Sequence, residues 1–230
     1  DRPGSIQASL LPPAMQPEPE SYVPLTGESE TVRAWVRRPL MQRKPVGYDR
    51  GLLDAYVPNQ TFYLNDAWRS QLATIGGMSL AQHPAGTYAR DILGRLLIDL
   101  SWASSRLEGN TYTRLDTVNL IENSQAAEGK DFVETQMILN HKRAIEFLIE
   151  ERDNIGIDIH NLLNLHALLS ENLLASPLAE GRLRTGVVEV SGSVYRPLAV
   201  PQQIEELFRL ILEKAAAIHD PFEQAFFLMV

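Results

Sequence analysis

Apolar residues in the middle of the chain recur every three or four positions, the spacing that lines one face of an α-helix. From Tyr88 onward, Ile92, Leu93, Leu96, Leu97, Leu100 and Leu107 form such a stripe, and Gly109 follows as a left-handed stop. Thr113-Arg114-Leu115-Asp116 has the form of a capping box. It opens a short helix carrying Leu115, Val118 and Ile121, which Glu128-Gly129 breaks. Asp131 with Glu134 opens a longer helix to about Glu151, with Val133, Met137, Ile138, Ala144, Ile145 and Leu148 expected inside. Asp158 caps another through about Leu174, where Leu162, Leu165, Leu169 and Leu173 share one face.

The period then changes. "TGVVEVSGSVYRPLAV" (185–200) sets β-branched residues on both sides of Ser191-Gly192-Ser193, which predicts a short β-hairpin. Pro201 suits the first position of a helix with Ile204, Leu207, Phe208, Ile211 and Leu212 on one side. Asp220-Pro221-Phe222-Glu223 stacks an N-cap, a proline at N1 and an acid at N3. The helix it starts, "PFEQAFFLMV", is still gathering apolar side chains at Val230, so the chain is expected to be a fragment ending inside this element. The expected class is all-α with one hairpin.

The N-terminal part lacks this regularity. Residues 1–30 hold six of the fourteen prolines and no helical period, which predicts an extended tail. Residues 32–45, "VRAWVRRPLMQRKP", are basic; a solvated face packed through Trp35 and Val36 is preferred there over a nucleic-acid or lipid contact. Residues 51–66 are aromatic-rich and interrupted by Pro58-Asn59, as in an irregular packing segment.

Composition narrows the function. The chain has 230 residues, 44% of them hydrophobic, enough for one good core or two small ones. A net charge of -8 and a pI near 5.2 argue against a broad nucleic-acid surface, so no nucleic-acid partner is expected. The absence of cysteine excludes disulfides and thiolate metal sites. No run approaches the ~18 apolar residues of a membrane span. A protein without a membrane contact, in the cytoplasm, is the expectation.

None of the H-E-x-x-H, P-loop, G-x-G-x-x-G or G-x-S-x-G patterns is present. His160 and His166 lie on different faces of one helix, and His166, among leucines, reads as a hydrogen-bonded packing residue. His219, just before the Asp220 cap, suits a helix C-terminus. The predicted hairpin is either a connector over the core or an exposed edge to which an extended peptide adds. In "SSRLEGN" (104–110), Glu108 places a carboxylate at the negative end of its own helix dipole. It is either a solvated acid offset by Arg106, or the partner of an arginine elsewhere in the fold.

"SSRLEGNTYT", "AAEGKDFVETQMILNHKRAIEFL", "LNLHALLSENLL", "GRLRTGVVEVSGSVYRPLAVPQQIEELF" and "HDPFEQAFFLMV" resemble, in order and spacing, the Fic (filamentation induced by cAMP) family. The resemblance covers residues from about 48 to 230. It implies a Fic-like all-α bundle with one hairpin, the flap, and a division into the tail, an N-terminal helical region (31–110) that ends in an inhibitory helix, and an incomplete Fic core (111–230). It implies a protein adenylyltransferase that uses ATP and Mg2+ to move AMP onto a Ser, Thr or Tyr hydroxyl of a target protein, the enzyme itself included among the candidates. Ser104, Glu108 and Gly109 match the family's S/T-x-x-x-E-G/N motif, whose glutamate pairs with an arginine that otherwise grips the ATP γ-phosphate. The flap would run Gly186, Val187, Val188, Glu189, Val190 on one side, Ser191, Gly192 and Ser193 at the tip, and Val194, Tyr195, Arg196 and Pro197 on the other. The catalytic motif H-x-F-x-D/E-G-N-G/K-R does not occur in this sequence, so no catalytic or metal-binding residue is carried over. The alternative is an inactive Fic-like module whose hairpin binds a partner peptide; an α-domain unrelated to Fic is the third reading.

Overall fold

The computed structural model describes residues 25–78, 87–151 and 154–230, and no side chains within 77–93 or at 95. The chain divides into two compact units, residues 1–44 and 45–230. In the first, α1 (Gly27–Val36) begins inside the expected extended tail, because Thr26 supplies a cap to the Ser29 amide at 3.2 Å. A single 3-10 turn follows at Leu40–Gln42. Trp35 and Val36, expected to pack, are 44% and 45% exposed, and α1 buries no residue.

The second unit runs β1 (Val46–Gly47), α2 (Arg50–Ala55), α3 (Asp66–Met78), α4 (Thr87–Leu107), α5 (Arg114–Asn123), α6 (Phe132–Glu150), α7 (Ile159–Ser170), β2 (Tyr195–Arg196), α8 (Pro201–Ala217) and α9 (Pro221–Met229). The fold is all-α, as expected. The helix starts follow the local signals. Thr113 and Asp116 close a reciprocal capping box on α5; Asp131, Asp158 and Asp220 each accept backbone amides at the starts of α6, α7 and α9. The α7 helix ends at Ser170, short of the expected Leu174, where Asn172 turns the chain with φ 58°.

Two apolar clusters hold this unit. One joins Leu53 and Tyr56 to Leu207, Ala215, Ile218 and Phe227; the other joins Tyr112, Leu120 and Ile138. The face of α4 differs from the predicted stripe. Ile98, Ser101 and Ser105 are buried, whereas Leu96 and Leu100 are nearly half exposed and Leu107 is 90% exposed; the side chains of Ile92 and Leu93 lie outside the described residues. Small serines let a helix backbone approach its neighbours closely, and α4 packs on α5 and α6 along that line. A leucine count alone does not reveal this.

Segment 48–66, predicted irregular, acts as a strap over α8 and α9. Lys214 of α8 donates to the carbonyls of Leu53 and Tyr56 at 2.7 and 2.6 Å, placing a cation on the C-terminal end of α2. Asn59, in the left-handed region at φ 63°, donates to Ala217 O at 2.7 Å and accepts from the His219 amide at 2.9 Å. The Glu223 carboxylate, read from sequence as a first-turn acid, is fully buried and accepts from Tyr56 Oη (2.9 Å), Tyr63 N (2.7 Å) and Leu64 N (2.9 Å). Burial pushes the Tyr56 phenol well above its usual range, and its hydrogen bond to Glu223 adds to that.

Three surface carboxylates make the fold acid-sensitive. The Thr113 hydroxyl holds Asp116 below the usual carboxylate range, the Asn161 amide does so for Asp158, and the Thr111 hydroxyl does so for Glu134. A group depressed in this way binds protons less readily folded than unfolded. Its contribution is complete above the unfolded range and is lost as pH falls through the folded one. The urea midpoint is therefore expected to hold from about pH 7 to about pH 5 and to fall below about pH 4. Thr111→Val makes that fall shallower; an acid limb unchanged by this substitution contradicts the assignment for Glu134.

Candidate functional site

The residues matched by "SSRLEGN" form the end of α4. The Gly109 amide donates to Arg106 O at 3.1 Å and the Asn110 amide to Ser105 O at 3.0 Å, with Gly109 at φ 94°. These two bonds around one left-handed residue make a Schellman stop. Glu108 is thereby the C-cap residue. Its own amide reaches Ser104 O and Ser105 O at 3.3 and 3.1 Å. Ser104 is half-buried, while Ser105 is sealed in the contact with α6.

The stop is fastened to α6. Asn110 Nδ2 donates to Glu134 O at 2.7 Å, and its Oδ1 accepts the Tyr112 amide at 2.9 Å. Thr111 donates through both its amide and its hydroxyl to Glu134 Oε1, and Lys130 donates to Thr111 O at 2.9 Å. Tyr112, 2% exposed, bonds Thr135 Oγ1 at 2.7 Å and accepts the Ala127 amide. Sequence reasoning missed this Asn110–Tyr112 clamp. The polar run N-T-Y-T beside a helix start was its one visible trace.

Glu108 keeps 55% of its side chain exposed, and its Oε1 lies 3.5 Å from His141 Nε2 on α6. Arg106, expected to offset it, lies with its guanidinium over the Trp102 ring at 5.6 Å. Among the described residues, His141 is thus a partner that the structure sets beside the Glu108 carboxylate.

The predicted flap departs from a hairpin. Its tip closes with Ser193 N donating to Val190 O at 3.1 Å, and of Ser191 and Gly192 only Gly192 has positive φ, 69°. That is the pattern of a type II turn, whose twist splays the flanking arms, rather than of the primed turns that keep a hairpin paired. The return arm instead enters a parallel pair with β1, in the register Val46↔Tyr195 and Gly47↔Arg196. Val187, Val188 and Val190 on the outgoing arm are 73%, 43% and 49% exposed. Between the arms lies a groove of about 620 Å³, lined by Val187, Glu189, Val194, Tyr195, Pro197 and Pro45. Arg184 steadies the start of the loop by donating to Gly186 O at 3.1 Å.

A larger apolar groove of about 950 Å³ lies between α7 and α8, with Leu163, His166, Leu178 and Phe208 in its walls and Arg182 and Arg184 among its lining residues. His166 accepts the Gly181 amide at its Nδ1, 3.0 Å away, in keeping with a packing histidine. A side chain at position 181 is crowded, since a Cβ there would stand 3.0 Å from Ala167 Cβ, and strained, since the backbone holds φ at 65°. Among the described residues no three histidine or carboxylate side chains converge as metal ligands, and no helix is long and apolar enough to cross a membrane.

No family model matches the chain. It is similar to Protein adenylyltransferase fic-1 of Caenorhabditis elegans, at 28% identity over 125 residues. That likeness suggests the Fic family. The aligned residues are 52% of this chain and 24% of the relative, so the chain spans about a quarter of the length of the curated protein it matches. The all-α architecture, with the α4 stop followed by the turn at 190–193 and then α9, agrees with a Fic-like bundle.

Proposed function

We propose that the complete protein carrying this chain is a Fic-type protein adenylyltransferase, restrained by Glu108 and guided to its target by the 186–197 loop. The observation that carries this reading is the rigidly closed end of α4. It presents a half-exposed carboxylate at a site where the helix dipole disfavours it. Such a group gains most from a cation that competes for it. The likeness to fic-1 supports the same reading.

In the proposed reaction a target hydroxyl oxygen bonds to the α-phosphorus of ATP, the bond from that phosphorus to the bridging oxygen breaks, and pyrophosphate leaves; the hydroxyl proton passes to a base. Mg2+ would supply charge neutralisation on the phosphates. The residues that hold it and the base belong to a motif absent from this sequence, so no step is assigned to a side chain of this chain. What this chain contributes is restraint, through Ser104, Glu108 and Gly109, and an exposed strand-like arm for a target segment. The test is intact-mass analysis of the complete protein after incubation with ATP and Mg2+. A covalent increment of one adenylyl group is expected on the protein or on an added target, and none without ATP.

A second reading rests on the same arm. Val187–Val190 is exposed and β-branched, so an inactive module could bind an extended peptide there without chemistry. Peptide capture with no adenylyl adduct would favour it.

A further inference from the structure

Glu108 is fixed at its base, because Asn110 and Ser105 lock the end of α4 onto α6, yet its side chain is half exposed. The His141 ring stands within reach of its carboxylate. We infer that His141 is the positioning residue that sets where the Glu108 carboxylate stands, an inference that rests on the autoinhibitory reading of Glu108.

The ring is held from the other side. His141 Nδ1 lies 2.9 Å from Met137 O, an oxygen that can only accept, so Nδ1 is assigned the proton. Ser105 Oγ, buried in the same contact, stands 3.3 Å from Nδ1. These two neighbours, one on α6 and one on α4, fix the plane of the imidazole and turn Nε2 outward, to 3.5 Å from Glu108 Oε1. Nε2 thereby faces the carboxylate while Nδ1 faces Met137 O. His141 is only 12% exposed, so it has little freedom to follow Glu108; the carboxylate is the mobile partner and the imidazole is the post. A preoriented carboxylate loses less rotamer freedom on meeting its competing cation, and therefore restrains more strongly.

The complete protein tests this through initial rates of ATP-dependent self-labelling. His141→Phe keeps the ring volume without a donor. His141→Asn keeps a donor toward Met137 O but does not reach Glu108. Both raise the rate about three- to five-fold, the size expected when a half-exposed polar contact is lost. His141→Gln, whose amide nitrogen reaches the Nε2 position, stays at the parent rate. In a Glu108→Gly background none of the three changes it, since the group they act through is gone. A parent-like rate in His141→Phe and His141→Asn, beside a raised rate in Glu108→Gly, overturns the role of His141 and leaves the restraint by Glu108 standing. A rise that persists in the Glu108→Gly background also overturns it, because His141 then acts by another route. No rise in Glu108→Gly itself removes the reading beneath the inference. The Asn and Gln pair decides the matter if His141→Phe unfolds.

Discussion

Glu108→Gly in the complete protein raises ATP-dependent self-labelling by a few orders of magnitude. A charge-assisted pair between this carboxylate and a phosphate-gripping arginine is worth roughly a few kcal/mol when partly buried, and each ~1.4 kcal/mol is a factor of ten in rate. The arginine cannot hold both the carboxylate and a γ-phosphate, so removing the first frees the second. The substitution is also safe for the fold. Glu108 is a C-cap residue with an exposed side chain, and the Schellman bonds run through Gly109 and Asn110, not through its carboxylate. Loss of a negative charge at the negative helix end should leave stability level or slightly higher. Glu108→Gln, which removes charge at nearly constant volume, should follow the same direction. A labelling rate unchanged in both variants contradicts the restraint.

The second large effect concerns stability. Glu223→Ala is expected to cost about 3–5 kcal/mol and to lower Tm by about 10 °C. The side chain is fully buried and collects three donors from one short segment: the Tyr56 hydroxyl and the amides of Tyr63 and Leu64. Removing the carboxylate leaves all three donors buried or half-buried without a partner, and deleting a buried side chain adds a void. Tyr56 also stacks on Tyr63 and packs against Phe227 of α9, with ring centroids 5.1 and 4.5 Å apart, so the strap and the helix loosen together. Tyr56→Phe, which removes one donor and keeps the ring, should cost only about 1–2 kcal/mol. Thermal unfolding of the complete protein, followed by circular dichroism, checks the order of the two. A Glu223→Ala variant as stable as Tyr56→Phe would mean that the two backbone amides do not depend on the carboxylate.

Which features were legible in the sequence follows from the range of the interactions behind them. Helix starts at Thr113, Asp131, Asp158 and Asp220 could be read because a cap acts within three residues of itself. Gly109 was readable for the same reason. Glu223 was not: its position shows an acid in a first turn, while its partners stand some 160 positions away. The α4 face was misread because leucines were weighed above Ser101 and Ser105, whose small size is what admits α6. The hairpin was misread because Ser191-Gly192 carries β-turn composition without revealing which residue takes positive φ; with Gly192 alone doing so, the arms part and Tyr195–Arg196 pairs with Val46–Gly47 instead. The α3 helix carries Trp68, Leu72 and Ile75 at helical spacing, a short stripe without the leucine-rich repeat of its successors. His141 gave no motif at all; only the packing of α6 beside the α4 stop brings it to Glu108.

The central claim is adenylyl transfer restrained by Glu108, and one measurement addresses both halves. The complete protein and its Glu108→Gly variant are incubated with Mg2+ and ATP labelled at either the α- or the γ-phosphate, then denatured and counted. The account predicts stable label on the protein from α-labelled ATP only, far more of it in Glu108→Gly. Label retained from the γ-position, or none from the α-position in either protein, would contradict it.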